Sequence, residues 1–156
     1  MFPVQIIWPG WRCHLANLES EVEKILSAND LGDTTSHQAG FLVPHKIVRA
    51  GYFPTLKDNS RNPRLKLKFI EMDGVLQHEV NYIKYNNKVF GGTRYEYRIT
   101  GVIGLFRHNL LRAGDSIIFK PINKYVFGVS FIHRDRKLGS SAIESWIVKG
   151  VNDGTK

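Results

Sequence analysis

Apolar and polar residues along this chain alternate in short runs, most with the period of two that a half-buried strand requires. Leu65-Lys66-Leu67-Lys68-Phe69 alternates strictly and predicts a strand. Phe41-Leu42-Val43 is a short apolar strand closed by Pro44. Ser116-Ile117-Ile118-Phe119 and Val126-Phe127-Gly128-Val129-Ser130-Phe131-Ile132 are the clearest strands, with a tight hairpin at Asn123-Lys124 between them. Asp73-Gly74 is a hairpin signal leading into a strand that carries Val75, His78 and Val80. Helical spacing is rarer. Leu15, Leu18, Val22 and Ile25 recur at it behind a candidate N-cap, Asn17, although Val22, Lys24 and Leu26 also alternate, so the end of that segment reads equally as a strand. Pro44 can open a helix running through Lys46-Ile47-Val48-Arg49 to Tyr52, which Phe53-Pro54 ends. Ile103 to Leu111 fits one amphipathic helix with Leu105, Phe106, Leu110 and Leu111 toward the core, terminated by Ala113-Gly114-Asp115. Residues 57–64 read as a loop, and Ile143 to Val148 as a last strand or helix.

Short strands, two small helices and regularly spaced turn signals describe a mainly β chain, a barrel or open pseudobarrel with helices at its ends. At 156 residues it is expected to be one domain, over 1–150, followed by a frayed, disordered tail over 151–156. A hydrophobic fraction of 42% with 12% aromatics is enough for a core. No run approaches the roughly 18 apolar residues that cross a bilayer, and no signal-peptide pattern opens the chain. Cys13 is the only cysteine, which rules out an internal disulfide and a cysteine-based metal cluster. Charge narrows the field of partners. Lys and Arg total 22 against 14 acids, a formal net charge of +8, and favour a polyanion, nucleic acid first and an anionic membrane second.

The basic residues do not form a lysine-rich tail. They are interleaved with aromatics, amides and glycines in two dense stretches, a pattern that a diffuse membrane patch does not need. The stretch from Lys84 to Thr100, KYNNKVFGGTRYEYRIT, surrounds a Gly-Gly pair with rings, two asparagines and alternating Arg94, Glu96 and Arg98. If extended, those three side chains share one face. Arginine reads guanine edges and asparagine reads adenine edges; a carboxylate between two arginines fixes their forks or accepts from a cytosine amino group. The stretch from Leu26 to Gly40, LSANDLGDTTSHQAG, is short-polar throughout, with His37-Gln38 ahead of a strand. A plain solvated hairpin and a capped turn are the alternative readings of the two segments.

Together the two stretches resemble the recognition arms of the N-terminal effector domain of the EcoRII restriction endonuclease, a member of the B3-like DNA-binding pseudobarrel group. They cover 15 and 17 residues, and the segment LLRAGDSIIF also fits that fold. The resemblance implies a seven-stranded open pseudobarrel with two helices at its ends. It implies double-stranded DNA as partner, gripped in the major groove by both arms of a monomer. It also implies a prokaryotic, cytoplasmic setting and a nuclease domain fused in the parent protein. By the same resemblance the target is 5′-CCWGG or another short G/C-rich site. The family's pattern has lysines where this chain has Gly92 and Tyr97 and an asparagine where it has Tyr95, and relatives read other G/C-rich targets with the same arms.

Family positions that contact bases carry over to His37, Arg94, Glu96 and Arg98. Gln38, Asn86, Asn87, Asp33, Tyr95 and Tyr97 join them as base-reading candidates. Lys24, Ser27, Asn29, Thr34, Thr35, Ser36, Lys88, Gly92, Thr93 and Thr100 are candidates for the DNA backbone. Arg107, Arg134, Arg136 and Lys137 could extend the electrostatic footprint. No catalytic residue, metal or cofactor is expected. The acids weighed for a metal-dependent nuclease, Glu71, Asp73 and Glu79 near Lys66 and Lys68, lack a recognisable motif. Cys13-His14 has no third partner in sequence, His45-Lys46 lacks a second histidine motif, and the six histidines are dispersed. A third reading is a single-stranded nucleic-acid or RNA module that stacks bases on Tyr85, Phe90, Tyr95 and Tyr97.

Overall fold

The computed structural model describes residues 4–16, 19–33, 39–72 and 76–134, in which nine strands and two short helices form one curved sheet and its cover. The strands are β1 (Val4–Trp8), β2 (Trp11–Ala16), β3 (Glu19–Ile25), β4 (Gly40–Val43), β5 (Arg64–Glu71), β6 (Gln77–Tyr85), β7 (Glu96–Thr100), β8 (Ser116–Pro121) and β9 (Val126–Ile132). Helix α1 (His45–Arg49) follows β4, and α2 (Ile103–His108) follows β7. The sheet order is β1-β2-β3-β8-β9-β5-β6-β7-β4. Every neighbouring pair is antiparallel except β5 with β9. Seven consecutive strands, from β3 round to β4, make the expected open pseudobarrel, and the β1-β2 hairpin extends it past β3.

The core lies on the concave side and is built from rings. Phe119 of β8 meets Trp11, Phe41, Phe53, Phe69 and Phe127 at centroid separations of 5.3–6.5 Å. Because those rings come from β2, β4, the segment after α1, β5 and β9, one side chain ties distant parts of the sequence together. Tyr82 and Tyr97 stack at 5.3 Å where β6 pairs with β7. Burial pushes the Tyr82 hydroxyl far above its ordinary pKa, so it stays neutral and donates to the carbonyl of Pro54 at 2.9 Å.

Three expectations change. The helix over residues 15–25 is replaced by strands β2 and β3, because β3 lies between two partners, with Val22 opposite both Cys13 and Phe119. Ladder pairing on both sides outweighs a local helical period, and only the Val22-Lys24-Leu26 alternation carries through. The helix at 103 stops at His108 rather than Leu111, and Leu110 takes a φ of 51° and is 71% exposed, so it is not a core residue. Leu105, Phe106 and Leu111 are buried as expected. Pro44 stands one residue before α1, whose first residue is His45. Asn17, Asp73-Gly74 and Ile143–Val148 fall outside the described residues, as does the tail.

Replacing Phe119 with alanine is expected to cost roughly 3–5 kcal/mol, the usual range for a buried aromatic. Urea unfolding of the F119A variant beside the wild type measures it.

Candidate nucleic-acid interface

Strand β7 organises the site. Its inward residues Tyr97 and Ile99 are buried, and its outward residues Glu96, Arg98 and Thr100 are half-buried on the opposite face. The partners of Arg98 are Ile83 on β6 and Leu42 on β4, and those of Thr100 are Asn81 and Gly40. The connection from β3 to β4, residues 26–39, returns at the Thr100 end of β7, and the connection from β6 to β7, residues 86–95, enters at the Glu96 end. These two connections, the first and second arm, therefore join the sheet at opposite ends of one short strand. Four residue steps separate Glu96 from Thr100, which is about 14 Å at roughly 3.4 Å per residue and close to the roughly 12 Å width of a DNA major groove.

The second arm opens with a 3-10 turn over Asn87–Phe90. Gly91 closes that turn at φ 90°, a left-handed conformation that glycine adopts without strain. At Gly92 a Cβ would lie 2.9 Å from Cβ of Asn87 and 3.1 Å from its carbonyl oxygen, so the lysine of the related pattern does not fit this backbone without a shift. Hydrogen bonds from Gly92 N–H to the carbonyl of Asn87 (2.7 Å) and from Lys88 N–H to that of Arg94 (3.0 Å) close the loop. Beyond it, the Arg94 guanidinium lies 3.7 Å above the centre of the Tyr85 ring and donates from Nε to Glu96 at 2.7 Å. Arg98 Nη1 approaches the same Glu96 oxygen at 3.9 Å. Glu96 thus sits between the two arginines, holding the fork of Arg94 and attracting Arg98 at longer range. Exposed pairs of this kind add little to stability, so orientation is their principal effect.

A polar network built on the buried Lys84 and Asn86 and the half-exposed Asp58 holds the arm. Asp58, in the loop after α1, accepts from Lys84 (3.1 Å), Asn86 (3.1 Å) and the Tyr95 hydroxyl (2.9 Å). Asn86 also donates to the carbonyl of Ser60 (2.8 Å) and accepts from Asn62 N–H (2.8 Å). Burial opposes the charge on both ions. For Asp58, the hydrogen bonds from Asn86, Lys84 and Tyr95 outweigh that and hold its pKa below the ordinary 3.8. For Lys84, the bonds with Tyr95 and Asp58 likewise outweigh burial and raise its pKa above the ordinary 10.5. The pair is charged throughout the neutral range. The Tyr95 ring stacks on His45 of α1 at 5.0 Å, and the Lys84 ammonium lies 4.8 Å from its centre.

The first arm is anchored at its base. Ser27 and Asp30 cap each other, Ser27 N–H donating to the carboxylate (2.8 Å) and Asp30 N–H to the hydroxyl oxygen (3.2 Å). The buried Lys24 ammonium meets Asp30 at 2.9 Å. Leu26 is tied to the turn before β8, its N–H donating to the carbonyl of Asp115 (2.8 Å) and its carbonyl accepting from Gly114 N–H (2.8 Å), and Leu31 is buried.

The sequence-predicted residues separate accordingly. Arg94, Glu96, Arg98, Thr100, Lys88, Gly92 and Thr93 come together at the second arm and the outer face of β7. Asn87 is half-buried there, with its side-chain oxygen buried and unbonded within the protein. Asp33, Ser27 and Asn29 are exposed on the base of the first arm. Thr34, Thr35, Ser36, His37 and Gln38, with Arg136 and Lys137, lie outside the described residues. Five of the candidates are engaged within the protein instead. Asn86 is fully buried with both ends of its amide bonded internally. Tyr97 is a core residue whose hydroxyl accepts from Leu56 N–H at 3.1 Å. Lys24 is committed to Asp30, and Arg134 to the buried Glu23 at 2.5 Å. Tyr95 is partly exposed but clamped on its ring and hydroxyl, so it braces the arm. Sequence reasoning missed Asp58, Lys84 and His45; the one signal was a lysine standing at an inward position of β6, in phase with Val80 and Tyr82.

The architecture defines a class, and comparison bears it out. The chain matches the Arabidopsis FUS3–DNA complex with a TM-score of 0.55 and 16% identity, over 72% of this chain and 96% of that one, which establishes the B3-like fold. The model of the family "Restriction endonuclease EcoRII, N-terminal" matches residues 20–116, more than half of the sequence, and the chain belongs to that family. The type II restriction enzyme EcoRII of Escherichia coli is 39% identical over 79 residues, 49% of this chain. That alignment spans 19% of the length of the relative. Among the described residues no helix is long and apolar enough to cross a membrane.

Asp58 generates a pH prediction. Its lowered pKa stabilises the fold above the ordinary carboxylate range, and that contribution is lost as pH falls through the folded-state value. Chemical unfolding from pH 7 to pH 3 is expected to show a shallower acid loss of stability in D58N than in wild type.

Proposed function

We propose that this domain binds double-stranded DNA sequence-specifically by inserting its two arms into the major groove, and that it serves as the target-recognition or effector part of a restriction enzyme. The carrying observation is that the two arms join β7 at its opposite ends, with Arg94 of the second arm held by Glu96, and Arg98 on the strand beside it. Arg94 and Arg98 are the guanine readers, each worth roughly 1–3 kcal/mol of discrimination. Glu96 orients Arg94, to which it is bonded, and accepts from a cytosine amino group. Lys88, Thr93 and Thr100 hold phosphates, and His37, Gln38 and Asp33 read from the first arm. The target is 5′-CCWGG or another short G/C-rich site, and the domain acts as a monomer.

Family membership supports this reading, as does the net charge of +8. The single-strand reading has less support, because its rings are already engaged. Tyr97 stacks on Tyr82, Tyr95 on His45, Tyr85 lies under Arg94 and Phe90 under Arg61. A nuclease reading meets a similar obstacle. Glu71 is buried on the inner face against His78 at 2.6 Å, whereas Glu79 is on the outer face with Lys66 at 3.7 Å, so these acids do not converge. Cleavage belongs to a further domain of the parent enzyme.

Competitive binding at near-physiological salt tests the reading, with a 5′-CCWGG duplex, a shuffled duplex of equal composition and its single strand as competitors. The 5′-CCWGG duplex is expected to win, and R94A is expected to erase that preference while keeping low-salt binding. Equal binding of both duplexes moves the target to another sequence, found by selection from random duplexes. Preference for the single strand refutes groove recognition.

A further inference from the structure

We propose that the loop of residues 57–62, between α1 and β5, is a third DNA-contacting element that meets the phosphate backbone beside the second arm through Lys57 and Arg61. The inference rests on the duplex-binding reading above.

The loop is locked to the arm. Asp58 takes hydrogen bonds from Lys84, Asn86 and Tyr95, the carbonyl of Ser60 takes one from Asn86, and Asn62 N–H donates to Asn86. Asn86 immediately precedes the 3-10 turn of the arm. Whatever the arm approaches, the loop approaches with it.

Its outward chemistry suits a phosphate. Lys57, Asn59, Ser60 and Arg61 are exposed, and the one acid of the loop, the half-exposed Asp58, is offset by Lys84 at 3.0 Å. The exposed rim therefore carries two cations, an amide and a hydroxyl, the donor types that position DNA backbones without reading bases. Arg61 lies over the Phe90 ring at 5.4 Å, in the same turn that exposes Lys88. A guanidinium stacked on a ring keeps its in-plane N–H groups free for a phosphate. Arg61 and Lys88 would then form one cationic edge, running from the loop onto the arm.

The salt dependence of binding separates a phosphate contact from a brace for Phe90. The full chain, K57A/R61A and R61K would be titrated with the wild type's preferred duplex and with a shuffled duplex over a range of salt. Each lost phosphate contact lowers the slope of log affinity against log salt by about 0.9. The double variant is expected to lose up to twice that on both duplexes, with its sequence preference and thermal midpoint kept, and R61K is expected to keep the wild-type slope. An unchanged slope in K57A/R61A refutes the proposal. So does a loss of preference at unchanged slope, which would make Arg61 a brace only. If the wild type fails to prefer duplex over single strand, the duplex reading falls and this inference with it. A wild type that binds duplex beside a double variant of unchanged slope removes the loop contact alone.

Discussion

The alternation of strand β7 is the constraint on which the rest of the site depends. A strand sends successive side chains to opposite faces, so a core built on Tyr97 and Ile99 obliges Glu96, Arg98 and Thr100 to face outward. A one-residue slip would bury the two charges and expose the tyrosine. The stacked Tyr82–Tyr97 pair opposes such a slip, as does ladder pairing to both β6 and β4. The outward face is therefore held in register by the hydrophobic core behind it.

The arms need a second kind of support, since loops have no ladder of their own. Beneath the second arm the support is ionic and hydrogen-bonded. Asp58 and Lys84 satisfy each other, and Asn86 uses both ends of its amide. Removing one partner from such a network leaves a buried charge or amide unpaired, which costs more than the bond itself contributes. Beneath the first arm Lys24, Asp30 and Ser27 do the same on a smaller scale. In both places a lysine that composition alone would assign to the DNA is turned inward.

This distinction changes the meaning of the departures from the family pattern. Tyr97, where the family resemblance implies a lysine, is inward and packs on Tyr82, and Tyr95, where it implies an asparagine, is clamped between His45 and Lys84. These two changes alter how the arm is braced. Gly92 differs from them, because it removes a side chain from the exposed surface, and Asn87 occupies the space a side chain would need.

Much of the fold was legible in the chain because strand periodicity is local. The β5, β8 and β9 segments, the short β4 and the helix beginning near Pro44 follow from alternation and from proline chemistry. So does the shared face of Arg94, Glu96 and Arg98, which needs only a period of two. Sequence could not distinguish Lys24 and Lys84 from solvent-facing lysines, since their partners Asp30 and Asp58 are recognised only once loops fold back. It could not separate Asn86 from Asn87, neighbours with the same side chain, one buried under Ser60 and Asn62 and the other on the arm. Nor could it turn residues 15–25 from helix to strand, because that outcome belongs to β8, nearly a hundred residues later. Local patterning determines which face of an element is apolar; only long-range pairing decides which polar groups meet one another and which are left to meet a ligand.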